Sequence, residues 1–292
     1  MLPNFLVIGA AKAGTTALYW YLAEHPDVFM SPKKETNYFA YGRDGQGRLL
    51  YGDPEYHQFP IQTLAAYQQL FAGAGDALAI GEASPIYLEC PQAAERIGQV
   101  LPEARLVCCL RHPVDRAYSD FQMDLRRRRH RLSPGRDLTP GADWARLESR
   151  WMQLGFYHGQ LKRYYDRFPR QQIHVFLFDD LKCDPVKTVQ GIYRFLGVAP
   201  DFVPDFDAPH NPGGMPESRV LEGIFTNPRL RSAVWPLVPK RAANWLRRLR
   251  TRNMRPAPPL PPELRRELSQ QLRSEILNTS ELIGRNLDHW LR

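Results

Sequence analysis

Asn4-Phe5-Leu6-Val7-Ile8-Gly9-Ala10-Ala11-Lys12-Ala13-Gly14-Thr15-Thr16 decides the fold of this 292-residue chain. Asn4 to Gly9 is a short, unbroken apolar run that ends at a glycine, the pattern of a strand buried on both faces. From about Thr15 to Glu24 the apolar residues Ala17, Leu18, Tyr21 and Leu22 share one face of a helix, which Pro26 stops. A strand, a glycine-bearing loop and a helix in that order put backbone N–H groups and a helix N-terminus where they hold an anion. Lys12 supplies a mobile cation, and Gly14 lets the backbone approach a ligand closely. Thr15 and Thr16 can cap the helix and donate hydroxyl hydrogen bonds. The bland alternative is a threonine cap after a glycine turn. A nucleotide-kinase loop would read GxxxxGK[ST], with lysine directly before the hydroxyl residue; here the order is K-x-G-T-T.

Outward from this stretch the same alternation continues. Leu78 to Gly81, Arg105 to Leu110 and Ile173 to Phe178 read as further buried strands. Helices are expected over Pro91 to Val100, Val114 to Arg128, Trp151 to Phe168, and Val186 to Leu196, the last ended by Gly197. Apolar strands alternating with helices imply an α/β fold: a P-loop-like, three-layer α/β/α arrangement around a central parallel sheet, plus a helical C-terminal extension. Ligands of such sheets bind at the carboxyl ends of the strands. Tyr41 to Pro60 reads as a loop, and Pro204 to Pro216, with its prolines and glycines, as a mobile one. The tail after Glu217 reads as helical, with a break at Arg255 to Pro262. This divides the chain into a core over residues 1–200 and, over 201–292, a mobile loop and basic helical extension packed on the same domain.

Composition narrows the function classes. The apolar fraction of 43% is enough for a sizeable core. No run of about 18 apolar residues exists to span a membrane, and the run Phe5 to Ala11 is short and followed at once by Lys12, unlike a secretory signal. The expectation is a mature chain starting near Met1 and staying in the cytoplasm, with peripheral membrane contact as an alternative. Cys90, Cys108, Cys109 and Cys183 form neither a CxxC nor a His-linked metal pattern and read as buried, reduced thiols, with no metal site. The net charge of +8 favours anionic ligands or surfaces. The basic residues lack the motifs of a nucleic-acid-binding protein, so no nucleic-acid partner is expected.

A second constellation follows the third expected strand: Arg111-His112-Pro113-Val114-Asp115-Arg116-Ala117-Tyr118-Ser119. Arg111 lies at the strand's carboxyl end and Ser119 on the next helix. Arginine binds phosphate bidentately and a serine hydroxyl can complete such a pocket. A surface arginine beside a helix start is the alternative, but two anion motifs in order on the right elements leave it little room. With both on the page, the chain resembles the 3′-phosphoadenosine-5′-phosphosulfate (PAPS)-dependent sulfotransferases over roughly Phe5 to Leu196. Lys12, Ala13, Gly14, Thr15 and Thr16 look like that family's 5′-phosphosulfate loop. Arg111 and Ser119 match the R-x-P-x-x-R-x-x-S pair that holds the 3′-phosphate of PAPS, or of its desulfated product PAP. The loop order and the Lys34-Glu35-x-x-Tyr38-Phe39 segment resemble the heparan sulfate and bacterial branch more than the cytosolic steroid and phenol branch.

The resemblance implies a reacting centre as well. Lys12 would stabilise the leaving phosphosulfate, and Glu35 aligns with the glutamate that acts as general base. A solvated charge beside two lysines is the alternative for Glu35. Asn37 stands where heparan sulfate enzymes carry a histidine, and asparagine cannot take a proton. Glu82-Ala83-Ser84-Pro85-Ile86-Tyr87 resembles an E-x-[ST]-P-x-Y segment lining the acceptor cleft, which makes Glu82 and Tyr87 candidate substrate contacts and Glu82 a second candidate base; for Glu82 a structural hydrogen-bonding role is the equal alternative. Ala83 replaces a lysine of the heparan sulfate enzymes, which argues against a heparan-like acceptor. Family members close a C-terminal loop over the donor, so His210, Gly213, Gly214 and Arg219 are candidate nucleotide or acceptor contacts; for His210 an ordinary loop histidine is the alternative.

Two basic tracts have no assigned role. Arg126 to Arg131 reads as cations at a helix C-terminus, with recognition of an acidic acceptor or carrier as the alternative. Between Glu222 and Glu263 there are nine Lys/Arg and no Asp or Glu, with Trp235 and Trp245 interleaved. That pattern fits an interfacial helix on an anionic membrane surface, a dock for an acidic carrier protein, or a plain packed helix pair. The expected activity is sulfuryl transfer from PAPS to a hydroxyl or amine of a small-molecule, glycan, lipid or carrier-bound acceptor, without metal. A P-loop kinase of a small metabolite and a basic nucleic-acid-binding protein are the competing readings; neither accounts for both anion motifs.

Overall fold

The computed structural model describes residues 1–42, 49–52, 57–126, 134–139, 141–207, 215, 216, 218, 254, 255 and 257–292. Its centre is a parallel sheet of five strands: β1 (Phe5–Gly9), β2 (Val28–Met30), β3 (Ala79–Ala83), β4 (Arg105–Leu110) and β5 (Ile173–Leu177), in the order β2-β3-β1-β4-β5. β1 sits in the middle, with Val7 opposite Ala83 on one side and Val107 on the other. All five β1 residues are buried, as an apolar run without alternation requires when both faces of a sheet are covered. The chain runs from β1 to the β2 edge, returns to β3, then crosses to β4. The crevice beside the carboxyl end of β1 is therefore the switch point at which open α/β sheets bind ligands.

Helices cover both faces: α1 (Thr15–Glu24), α2 (Leu64–Gln69), α3 (Ile86–Glu89), α4 (Ala93–Val100), α5 (Pro113–Arg126), α6 (Pro134–Asp137), α7 (Arg150–Gln153), α8 (Tyr157–Tyr165), α9 (Phe178–Cys183) and α10 (Pro185–Leu196). Pro113 and Pro185 open their helices, where a missing N–H costs nothing, and Gly197 closes α10 in the left-handed conformation. The continuous helix expected over Trp151 to Phe168 is in fact α7 and α8, broken around Gly155. A Cβ there would stand 2.8 Å from Pro113 Cβ, so the break lets the chain pass close to the start of α5. The strand expected at Leu78 to Gly81 runs two residues further, to Ala83, and β2 was not expected at all.

The C-terminal helices α11 (Pro262–Gln271) and α12 (Arg273–Ile283) pack back on the helical layer formed by α5 and α8. α11 lies against α5 through Arg265, whose Nε donates to Asp115 Oδ1 at 2.9 Å. Glu275 of α12 accepts the His158 amide of α8 at 2.7 Å. Near the terminus Trp290 is 1% exposed, and burying that indole contributes roughly 2–3 kcal/mol. Its carbonyl lies 2.8 Å from His112 Nε2, so that nitrogen carries the proton and donates. His112 Nδ1 accepts the Asp115 amide at 3.5 Å. Burial pushes the imidazole down to about 4. Among the described residues no helix is long and apolar enough to cross a membrane. All four cysteines are free; Cys90, Cys108 and Cys109 are buried as expected, whereas Cys183, at the end of α9, is exposed.

Candidate active site

The carboxyl ends of β1, β3, β4 and β5 deliver the candidate residues to one edge of the sheet. After β1, the loop reaches α1 through Lys12 at φ 68° and Gly14 at φ 86°. Gly14, and not Thr15 or Thr16, is the N-cap; the threonines are the first two residues of the helix. No side chain caps α1 and its first turn has no acidic residue. The positive end of the helix is thus left for an external anion. The left-handed conformation at position 14 favours glycine, and the space does too: a Cβ would come within 2.9 Å of the Phe178 ring. Lys12 Nζ lies 3.5 Å from Met123 Sδ of α5.

Arg111, immediately after β4, is buried enough that desolvation lowers its pKa, with the nearby Asp115 carboxylate acting in the opposite direction. Its Nη1 donates to the Lys12 carbonyl at 3.0 Å, and its guanidinium lies 5.0 Å from the centre of the Phe178 ring. Tyr157 donates to the Arg111 carbonyl at 2.9 Å. Arg111 and Ser119 line one cleft of about 250 Å³ together with Asp115, Tyr118, Gln122 and the segment Ala257 to Leu260. The segment is held by its Pro258 carbonyl, which accepts Tyr118 Oη at 2.7 Å and Gln122 Nε2 at 3.3 Å. Sequence reasoning took this proline-rich stretch for a break between helices; nothing local marks it as the wall of a cleft formed by residues about 140 positions earlier.

Glu35 is anchored over the end of β3, where its amide donates to the Ala83 carbonyl at 2.9 Å. Its φ is 61°, and that of Asn37 is 55°. Two non-glycine residues in the left-handed region, with Lys12 a third, put stored backbone strain around one crevice. The Glu35 carboxylate is 57% exposed and paired with Lys34 Nζ at 2.5 Å. It faces solvent.

Glu82 and Tyr87 are placed otherwise than as walls of an acceptor cleft. Both are completely buried. Glu82 Oε1 accepts Tyr87 Oη at 2.6 Å, Thr36 Oγ1 at 3.1 Å and Tyr67 Oη at 3.2 Å, and Oε2 accepts Ser84 Oγ at 2.7 Å. Burial raises its pKa, and the four hydroxyl donors oppose that rise. Ser84 Oγ in turn accepts the Asn37 amide at 3.0 Å. Glu82 is therefore the buried fastening of the 35–37 turn, not a group in contact with an acceptor. Its polar partners are needed because an unpaired carboxylate at this depth would cost several kcal/mol.

His210, Gly213, Gly214 and Arg219 lie outside the described residues, as do residues 127–131 of the first basic tract and, apart from 254, 255 and 257–262, the second. Among the described residues no group of three or more His, Cys, Asp or Glu is arranged to hold a metal ion.

Against known proteins, the model of the Sulfotransferase family matches residues 3–202. The chain is 30% identical over 216 residues to human bifunctional heparan sulfate N-deacetylase/N-sulfotransferase 3, covering 69% of this chain and 23% of that protein. It is 33% identical over 133 residues to the membrane-associated sulfotransferase kil1 of Dictyostelium discoideum, covering 46% of this chain and 25% of that one. The chain thus spans about a quarter of the length of these curated relatives. The crystal structure of a sulfotransferase from Alicyclobacillus acidocaldarius superposes with a TM-score of 0.71 at 31% identity, covering all of both chains. The loop before the uncapped α1, the residues Arg111 and Ser119 and the parallel sheet that joins them lie within the matched span, and the chain belongs to the sulfotransferase family.

Proposed function

We propose that the protein transfers a sulfuryl group from PAPS to a hydroxyl or amine of an acceptor. The observation that carries this reading is the pair of anion sites joined by the hydrogen bond from Arg111 to the Lys12 carbonyl. One is an uncapped helix end beside a lysine; the other is a cleft lined by an arginine and a serine. A nucleotide with phosphates at both its 5′ and 3′ positions fits two such sites, and ATP has no second phosphate group for the Arg111 cleft. The kinase reading lacks its GK[ST] loop, and the nucleic-acid reading leaves the paired sites without a role.

The bound donor would supply a sulfuryl group on a good leaving phosphate. The amides at the start of α1, with Thr15, Thr16 and the Lys12 ammonium, would stabilise negative charge on that leaving group. Arg111 and Ser119 would hold the 3′-phosphate and fix the nucleotide's register. Glu35, exposed above β3, would take the proton from the acceptor's hydroxyl or amine as the new bond to sulfur forms. The left-handed turn at Glu35 and Asn37, fastened to Ser84 and Glu82, sets where that carboxylate stands. A small molecule, glycan, lipid or carrier-bound group would serve as acceptor, the latter two consistent with the basic tract after Glu222.

Thermal-shift titration in EDTA tests the donor. PAP should raise Tm strongly, since ligand at about 100 times its Kd adds about 2.7 kcal/mol. ATP with Mg²⁺ should act weakly. Stabilisation by ATP–Mg²⁺ with none by PAP would overturn the reading.

A further inference from the structure

The cleft lined by Arg111 and Ser119 contains an anomaly. Asp115, an acid, shares its lining, although the proposed occupant is an anion. An unpaired carboxylate there would repel a phosphate and cancel much of what Arg111 contributes. Asp115 is not unpaired. Arg265, from α11, grips both its oxygens, Nε to Oδ1 at 2.9 Å and Nη2 to Oδ2 at 3.3 Å. Burial alone would raise the Asp115 pKa, but the Arg265 hydrogen bonds together with the charges of His112, Arg265 and Arg111 outweigh it and hold the group below the usual carboxylate range. Arg265 is itself fixed: its Nη1 donates to the Arg292 carbonyl at the chain terminus at 3.1 Å. Its own carbonyl accepts Ser269 Oγ at 2.6 Å, and that hydroxyl lies 3.2 Å from His112 Nε2. Arg265 stands five residues beyond Leu260, the last wall residue of the same cleft.

We infer that Arg265 is a positioning residue of the donor site: by neutralising Asp115 it turns a cleft of mixed charge into one that accepts a 3′-phosphate. The C-terminal extension then supplies both a wall and a balancing charge for the nucleotide, although the residues proposed to hold its two phosphates come from the first 119 positions. This rests on the PAPS reading given above.

The test compares PAP with AMP, which lacks the 3′-phosphate, by calorimetry on the full chain. Arg265→Gln should weaken PAP binding about tenfold or more, the scale expected when a paired charge is left alone beside an anion. AMP binding should stay within about twofold. Adding Asp115→Asn to that variant should restore most of the PAP affinity, because the repelling charge goes with its partner. Asp115→Asn alone should leave PAP binding intact or tighter, an arm that holds even if Arg265→Gln folds poorly. Equal losses for PAP and AMP, failure of Asp115→Asn to restore binding, or an unchanged PAP affinity in Arg265→Gln would each overturn the inference. Wild-type protein that binds PAP no more tightly than AMP would instead overturn the donor reading, and this inference with it.

Discussion

Lowering the pH should release the C-terminal clasp through His112, and the structure fixes both direction and size. The imidazole is 2% exposed, donates from Nε2 to the Trp290 carbonyl, and is held neutral with its pKa pushed down to about 4 from an ordinary 6.5. Asp115 and Asp179 nearby act upward on that pKa and Arg265 acts downward, but burial dominates. The unfolded chain binds this proton below about 6.5 and the folded chain only below about 4, so between those values protons favour the unfolded state. Stability from this group is complete above pH 6.5 and is lost as pH falls towards 4. At pH 4.5 the loss is about 2.5 kcal/mol. Urea unfolding followed by tryptophan fluorescence at pH 7.5 and 4.5, on wild type and on His112→Gln, isolates it. Glutamine can still donate to the Trp290 carbonyl but does not titrate. The variant should lose about 2.5 kcal/mol less than wild type between the two pH values. Equal losses would show that His112 is protonated in the folded state without cost, and the reasoning fails.

Two further outcomes follow from the crevice itself. Glu35→Gln should lower turnover by about 10²- to 10⁴-fold on an unactivated hydroxyl acceptor while PAP affinity is unchanged; near-normal turnover would remove Glu35 as the base. Gly14→Ala should destabilise the protein by about 2–4 kcal/mol, from the left-handed φ and from crowding against Phe178. A denaturation midpoint within error of wild type would show that the loop relaxes freely.

The sheet was legible because its longer strands are largely apolar runs: Arg105 to Leu110 is bounded to the residue. β2 is three residues long, too short for any periodicity, and was missed. Lys12, Gly14, Arg111 and Ser119 stand out because each proposed anion site is local in sequence, a strand end and the helix after it. Glu82 could not be assigned. Its neighbours suggested a cleft, but its role depends on hydroxyls from positions 36, 67, 84 and 87, which only the packed fold brings together. The Ala257 to Leu260 wall and the Arg265–Asp115 pair were invisible for the same reason: they join segments 140 to 150 residues apart.

The Phe178 ring, at the start of α9 just after β5, touches more of this arrangement than its place in the sequence suggests. It lies against Gly14 on one side and carries the Arg111 guanidinium on another, with Lys182 Nζ 4.8 Å from its centre. A flat, incompressible side chain between the two anion sites works as a gauge block. The span from one site to the other is then a dimension of the fold, set by this ring as well as by the hydrogen bond from Arg111 to the Lys12 carbonyl. On the proposed reading, a nucleotide whose second phosphate sits at the 2′ position carries the same charge as PAP but should raise Tm less than PAP does.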